Sequence, residues 1–82
     1  MTLQEFEYLS FDEKLDIIWE KGEFVDTYTS KIEYIHCFSV NRFFVELIYS
    51  ENRNDVIAIR GFVTGISLDK YVVNFNSYNN QL

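Results

Sequence analysis

The spacing of apolar residues changes at Gly22, and this change constrains the fold more than any other feature. Before it, Phe11, Leu15, Ile18 and Trp19 recur at i, i+4, i+7 and i+8, which places them on one face of a helix. After it, the chain is rich in aromatic and β-branched residues with a period near two, which favours strands. We therefore predict a helical start followed by a sheet, with Trp19 packed against that sheet.

Two capping boxes indicate where the helices begin. Thr2 with Glu5, and Ser10 with Glu13, have the three-residue spacing at which side chain and backbone cap each other. Gly22 follows the second apolar stripe and is expected in the left-handed position that ends many helices. The predicted helices cover about 3–8 and 11–21.

Short polar breaks divide the rest of the chain into four predicted strands, at 24–28, 32–38, 42–49 and 56–63. Connections this short can join only antiparallel neighbours. We therefore predict an α+β fold in which two short N-terminal helices pack on a four-stranded antiparallel meander sheet. The single domain is expected over residues 1–73, and the Asn-rich tail over 74–82 is expected to be frayed.

The register of the last hairpin follows from its side chains. If the numbers of opposing residues sum to 106, Glu46 lies opposite Arg60, which is a favourable cross-strand pair. The face under the helices would then hold Phe43, Val45, Leu47, Tyr49, Ile57, Ile59 and Val63. The second face would hold Phe44, Glu46, Ile48, Val56, Ala58, Arg60 and Phe62, joined by Ile35 and Cys37. Because no segment is evidently left to cover the second face, we expect it to be open.

The acidic charge lies in the first third of the chain. Residues 1–26 hold eight carboxylates and two lysines, a net −6 that equals the formal charge of the whole chain. On the second predicted helix the acidic face consists of Asp12, Glu13, Asp16 and Glu20. A protein that binds nucleic acid directly needs a cationic footprint, so the charge argues against that class of function.

The residues that could carry catalysis are few. His36 and Cys37 are adjacent, but neighbours on a strand point to opposite faces and so cannot act together. One histidine and one cysteine do not supply a metal site, and no phosphate-binding glycine loop is present. We predict no enzymatic activity, no cofactor and no metal. Without an internal disulfide, a signal peptide or a run of about 18 apolar residues, the chain is expected to be cytoplasmic and not bound to a membrane.

Four segments of the chain resemble a group of small, uncharacterised bacterial proteins of about 70–80 residues. These segments are Thr2–Phe6, Ile18–Phe24, Phe43–Tyr49 and Val56–Phe62. The group's pattern is a helical Trp-Glu-x-Gly-x-Phe segment, an aromatic strand containing Val-Glu, and a closing strand of the Ile-x-x-Ile-Arg-x-Phe kind. The resemblance implies a bacterial cytosolic α+β protein and supplies no activity.

These features favour a small non-catalytic interaction protein of the immunity, anti-defence or regulatory-subunit type. It would self-associate or bind a protein partner through the apolar second face, at Phe44, Ile48, Val56, Phe62, Glu46 and Arg60. A homodimer is expected because large apolar patches are rarely left exposed. The alternative is an acidic inhibitor whose helical face docks on a basic, nucleic-acid-binding site of a partner enzyme, through Asp12, Glu13, Asp16 and Glu20.

Overall fold

Two helices precede a four-stranded sheet in the computed structural model of the chain, which describes residues 1–63. The helices are α1 (Leu3–Glu7) and α2 (Phe11–Lys21), and the strands are β1 (Glu23–Thr29), β2 (Tyr34–Val40), β3 (Phe43–Tyr49) and β4 (Val56–Phe62). The strands lie side by side in chain order and each neighbouring pair is antiparallel. The predicted α+β meander is therefore confirmed. The predicted domain boundary at residue 73 and the tail 74–82 lie outside the described residues.

Both predicted capping boxes are formed. The Thr2 hydroxyl accepts a hydrogen bond from the Glu5 N–H at 3.2 Å, and the Glu5 carboxylate accepts one from the Thr2 N–H at 2.7 Å. Ser10 and Glu13 make the same reciprocal pair at 3.2 and 2.9 Å. Because these backbone donors favour the ionised carboxylate, the pKa values of Glu5 and Glu13 are lowered. The boxes fix the start of each helix and leave the Glu13 carboxylate engaged by the Ser10 N–H.

Gly22 ends α2 in a different way from the one expected. Its backbone is extended, with φ −77° and ψ 145°, so the prediction of a left-handed residue is wrong. The Gly22 N–H donates to the Ile18 carbonyl at 2.9 Å. A Cβ at Gly22 would lie 2.5 Å from that same oxygen. Glycine is therefore required here by the close approach of two backbone segments.

The core lies between the two helices and one face of the sheet. Phe6 from α1 and Ile18 from α2 are each 1% exposed. They pack on the buried strand residues Val40, Phe43, Val45 and Leu47. The rings of Phe6 and Phe43 are 5.4 Å apart, and the Lys14 ammonium lies 5.7 Å from the centre of the Phe6 ring. Each helix is thus anchored to the sheet by one fully buried side chain.

Trp19 does not belong to this core, contrary to the prediction. Its side chain is 58% exposed, whereas the neighbouring Ile18 is buried. Successive helical residues are about 100° apart around the axis, so Ile18 points into the core and Trp19 points to one side of it. The indole contacts the margin of the sheet through the Phe38 ring, at 5.9 Å and nearly perpendicular.

The predicted register of β3 and β4 is confirmed over most of the hairpin. Phe44 faces Phe62, Glu46 faces Arg60 and Ile48 faces Ala58. The register then shifts, so that Tyr49 pairs with Val56. The extra residue of this irregularity moves Val56 to the helix side, where it packs against the core, and leaves Ile57 62% exposed. The predicted faces of Val56 and Ile57 are therefore wrong.

Candidate functional site

The second face of the sheet is closed at its centre. Ile35, Cys37 and Glu46 are 0% exposed. At one end of this face, Phe44 and Phe62 are partly buried, with stacked rings 5.8 Å apart and 23° from parallel. Ile48 is also partly buried. The expectation of an open apolar face is wrong, because its central side chains are already removed from solvent within the chain.

Glu46 and Arg60 form an ion pair on this second face. The guanidinium donates from Nε and Nη2 to the Glu46 Oε1 at 2.9 and 2.7 Å. The Arg60 side chain is half exposed, whereas Glu46 is fully buried. A buried carboxylate is costly unless it is paired and hydrogen-bonded. The pair therefore ties β3 to β4 in one register, which is a structural task.

A row of aromatic side chains lies on the helix side of the sheet, where β1 and β2 continue past α2. We call it the aromatic strip; it consists of Trp19, Phe24, Phe38, His36, Tyr34 and Tyr49. Neighbouring rings along the strip are 4.9 to 6.5 Å apart and meet edge to face. Aromatic rings prefer this arrangement because the ring edge is positive and the ring face negative. The strip is therefore an ordered surface built from three adjacent strands and the last turn of α2.

One end of the aromatic strip is open to solvent. Trp19 is 58% and Phe24 is 57% exposed, while Phe38 between them is partly buried. By contrast, the four apolar residues that were predicted to bind a partner are all partly buried: Phe44, Ile48, Val56 and Phe62. The aromatic surface that solvent reaches is thus on the opposite face from the predicted one.

The other end of the strip is capped by the chain itself. The Arg53 guanidinium carbon lies 4.3 Å from the centre of the Tyr34 ring. The Tyr34 hydroxyl is 3.1 Å from Nε2 of His36. Burial lowers the pKa of His36, which keeps the imidazole neutral. The pKa of Tyr49 is raised, mainly by burial and also by the nearby Tyr34. This end is held by hydrogen bonding and by a cation from a loop of the same chain.

His36 and Cys37 point to opposite faces, as predicted. His36 lies among the rings of the aromatic strip, whereas Cys37 packs with Val25 on the second face. The two side chains therefore do not form a nucleophile and base pair.

Of the four carboxylates predicted for the acidic face of α2, Glu13 caps the helix and the other three remain available to a partner. Asp12, Asp16 and Glu20 follow at i, i+4 and i+8, so they line one ridge of the helix, and all three are exposed. We call them the acidic ridge. Within residues 1–63 no ion pair joins them to a basic side chain. Trp19 lies three residues after Asp16 and next to Glu20, which places the acidic ridge beside the open end of the aromatic strip.

The described part of the chain offers little for metal or pocket chemistry. Among residues 1–63, no three His, Cys, Asp or Glu side chains lie together in a way that could hold a metal ion. A cleft of about 270 Å³ between the β1–β2 and β3–β4 loops mixes Lys31 and Arg53 with Glu33 and Glu51. A wider depression of about 720 Å³ has Arg42 as the one ionisable side chain among its described lining residues. No helix within these residues is both long and apolar enough to cross a bilayer.

The sequence contained a signal for the aromatic strip that the prediction did not use. Tyr34, His36 and Phe38 alternate along one strand, and alternation places them on one face. Only the pairing of β1 with β2, which sets Phe24 opposite Phe38, shows that the row extends across strands.

Scans of the chain against protein-family models, curated proteins and solved structures each returned no match.

Proposed function

We propose that this chain is a non-catalytic interaction protein that binds a protein partner through the open end of the aromatic strip. The single observation that carries the proposal is the convergence of Trp19 and Phe24, each more than half exposed, on the ring of Phe38. Exposed aromatic groups arranged in this way are costly to leave in water and serve as anchors in protein interfaces.

The strip has the composition of an interface centre with a polar rim. Tyr, Trp and Phe are enriched at the centres of protein interfaces, and charged residues surround them. Here the acidic ridge supplies the charged rim on the α2 side. The rings are held by β-sheet pairing and by edge-to-face contacts, so little conformational entropy is lost when a partner docks.

The charge of the rim favours a different protein over a second copy of this chain. A two-fold dimer through the strip would bring two acidic ridges near each other, and like charges oppose such pairing. The partner that complements this surface carries basic side chains around an apolar centre. The proposal therefore moves the apolar contact to the face opposite the predicted one and combines it there with the acidic helix of the alternative prediction.

The non-catalytic character is supported by where the reactive side chains lie. Cys37 is fully buried, and His36 is enclosed by rings on the other face. The buried carboxylate of Glu46 is engaged by Arg60. The part of the chain that the structure describes therefore gathers no acid, base and nucleophile around one accessible point.

The test is a capture experiment with paired variants. The immobilised chain is exposed to a lysate of its source organism, retained proteins are identified, and each is purified and titrated by calorimetry. A partner should bind the unaltered chain and the Tyr8→Ala variant, which changes a 91% exposed aromatic residue at the C-terminal cap of α1.

The same partner should be lost from the Trp19→Ala, Phe24→Ala double variant. Retention by that double variant, with loss from a Phe44→Ala, Phe62→Ala double variant, would contradict the proposal. A stable homodimer whose interface is the strip would also contradict it; light scattering would then give about twice the mass of 9.8 kDa.

A further inference from the structure

Three rings pack edge to face at the open end of the aromatic strip. We use the name seat for Trp19, Phe24 and Phe38. The Trp19 ring stands at 86° and the Phe24 ring at 78° to the ring of Phe38, with centres 5.9 and 5.7 Å from it. Edge-to-face contact with Phe38 holds the Trp19 and Phe24 rings in place, and both side chains are more than half exposed, so a cation can reach their negative ring faces from solvent.

The same strip already binds a cation at its other end. The Arg53 guanidinium lies over the Tyr34 ring at 4.3 Å, which is well within the range of a cation–π contact. On α1, the Lys14 ammonium lies over Phe6 at 5.7 Å. Within residues 1–63 no corresponding cation is placed over Trp19 or Phe24. At one end of the strip the chain itself supplies the cation, and the other end is available to a cation from a partner.

The electrostatic surroundings of the seat favour a positive charge. Asp16 and Glu20 flank Trp19 along α2, and the exposed Glu23 precedes Phe24. Lys21 is the one base in this stretch from Asp16 to Glu23. A cation that enters the seat therefore meets ring faces and carboxylates together, and both attract it.

We infer that the seat takes an arginine side chain presented by a basic segment of the partner protein. A guanidinium is planar and weakly hydrated, so it stacks on a ring while donating to a nearby carboxylate. An ammonium is a compact and strongly hydrated point charge, and it loses more water on entering such a seat. The inference rests on the proposed function and specifies the chemistry of the partner group.

Trp19 is the only tryptophan in the chain, so its fluorescence reports on the seat directly. The probes are four acetylated and amidated peptides of twelve residues that alternate glycine with arginine, lysine, glutamine or glutamate. The arginine peptide should change the emission in a saturable manner, and the lysine peptide should bind several-fold more weakly. Raising NaCl from 50 to 500 mM should weaken the arginine complex about tenfold, because exposed charges are screened.

Matched variants separate the seat from general attraction to an acidic surface. Phe24→Ala should weaken the arginine complex about three- to tenfold through loss of a ring face. Glu20→Gln should weaken it, whereas Glu7→Gln, at an exposed carboxylate on α1, should leave it unchanged. Tyr8→Ala should also leave it unchanged.

Equal binding of the arginine and glutamine peptides would overturn the inference, and so would the absence of a saturable change with any peptide. Either result leaves the proposed function standing if the captured partner is still lost from the Trp19→Ala, Phe24→Ala variant. Failure of that capture experiment, in turn, overturns the proposed function whatever the peptides do.

Discussion

Replacing Trp19 by alanine should cost much less stability than replacing the neighbouring Ile18. For a tryptophan buried in the core the expected cost is about 3–5 kcal/mol. In this structure Trp19 is 58% exposed, whereas Ile18 is 1% exposed. The comparison therefore asks whether the indole belongs to the core or to a surface that is available for binding.

The magnitude follows from the buried area. A tryptophan can bury about 250 Å², and the 58% exposure leaves roughly two-fifths of that, about 100 Å², out of water. At about 25 cal/mol per Å² this is about 2.5 kcal/mol, and allowance for residual burial in the unfolded chain lowers it to about 2 kcal/mol. Ile18→Ala removes a fully buried side chain and should cost about 3–4 kcal/mol.

The stability of both variants is measured by urea unfolding, monitored by far-ultraviolet circular dichroism. Tryptophan fluorescence cannot be used for this comparison, because Trp19→Ala removes the only tryptophan. With a slope of about 1 kcal/mol per M, the two midpoints should differ by about 1.5 M urea. Ile18→Val, at about 1 kcal/mol, keeps the comparison measurable if Ile18→Ala does not fold, and Tyr8→Ala should have almost no effect. A Trp19→Ala loss of stability equal to or larger than that of Ile18→Ala would show that the indole belongs to the core.

Three further predictions concern stability. Arg60→Ala should lower the free energy of unfolding by about 3 kcal/mol, because the buried Glu46 carboxylate loses its guanidinium, and equilibrium denaturation measures this. Gly22→Ala should cost more than about 1 kcal/mol through its backbone clash, whereas Gly61→Ala, whose Cβ would meet only the end of a leucine side chain, should melt close to the unaltered protein. Because burial lowers the pKa of His36 in the fold, the unfolded chain takes up the proton first. Stability should therefore fall as the pH drops below about 6.5, and denaturation of His36→Gln at pH 7.5 and 5.5 should not show this contribution.

The architecture could be predicted because local signals and chain length agree. The Thr2 and Ser10 capping boxes fix the helix starts, and the short breaks between strands permit only antiparallel neighbours. The Glu46 and Arg60 pair fixed the register of the last hairpin, since a slip of one residue would bury an unpaired charge.

The errors arise where three-dimensional context decides. The register shift at Tyr49 adds one residue to β4 and moves Val56 to the other face of the sheet. No local sequence pattern indicates this shift. The helical stripe includes both Ile18 and Trp19, but the stripe does not say which of them lies over the sheet and which lies at its margin. Ile35 and Cys37 are fully buried, and their burial depends on the packing of the whole chain. From the sequence alone, a covered apolar face of a sheet could not be distinguished from an open one.

We expect a partner to dock on the aromatic strip and not on the second face of the sheet. Nuclear magnetic resonance of the isotope-labelled chain, recorded with and without the captured partner, tests it most directly. We expect the Trp19 indole N–H and the amides of Phe24 and His36 to shift or broaden, while the amides of Phe44, Glu46 and Phe62 stay in place. Changes centred on Phe44, Glu46 and Phe62, with an unaltered Trp19 indole signal, would contradict it.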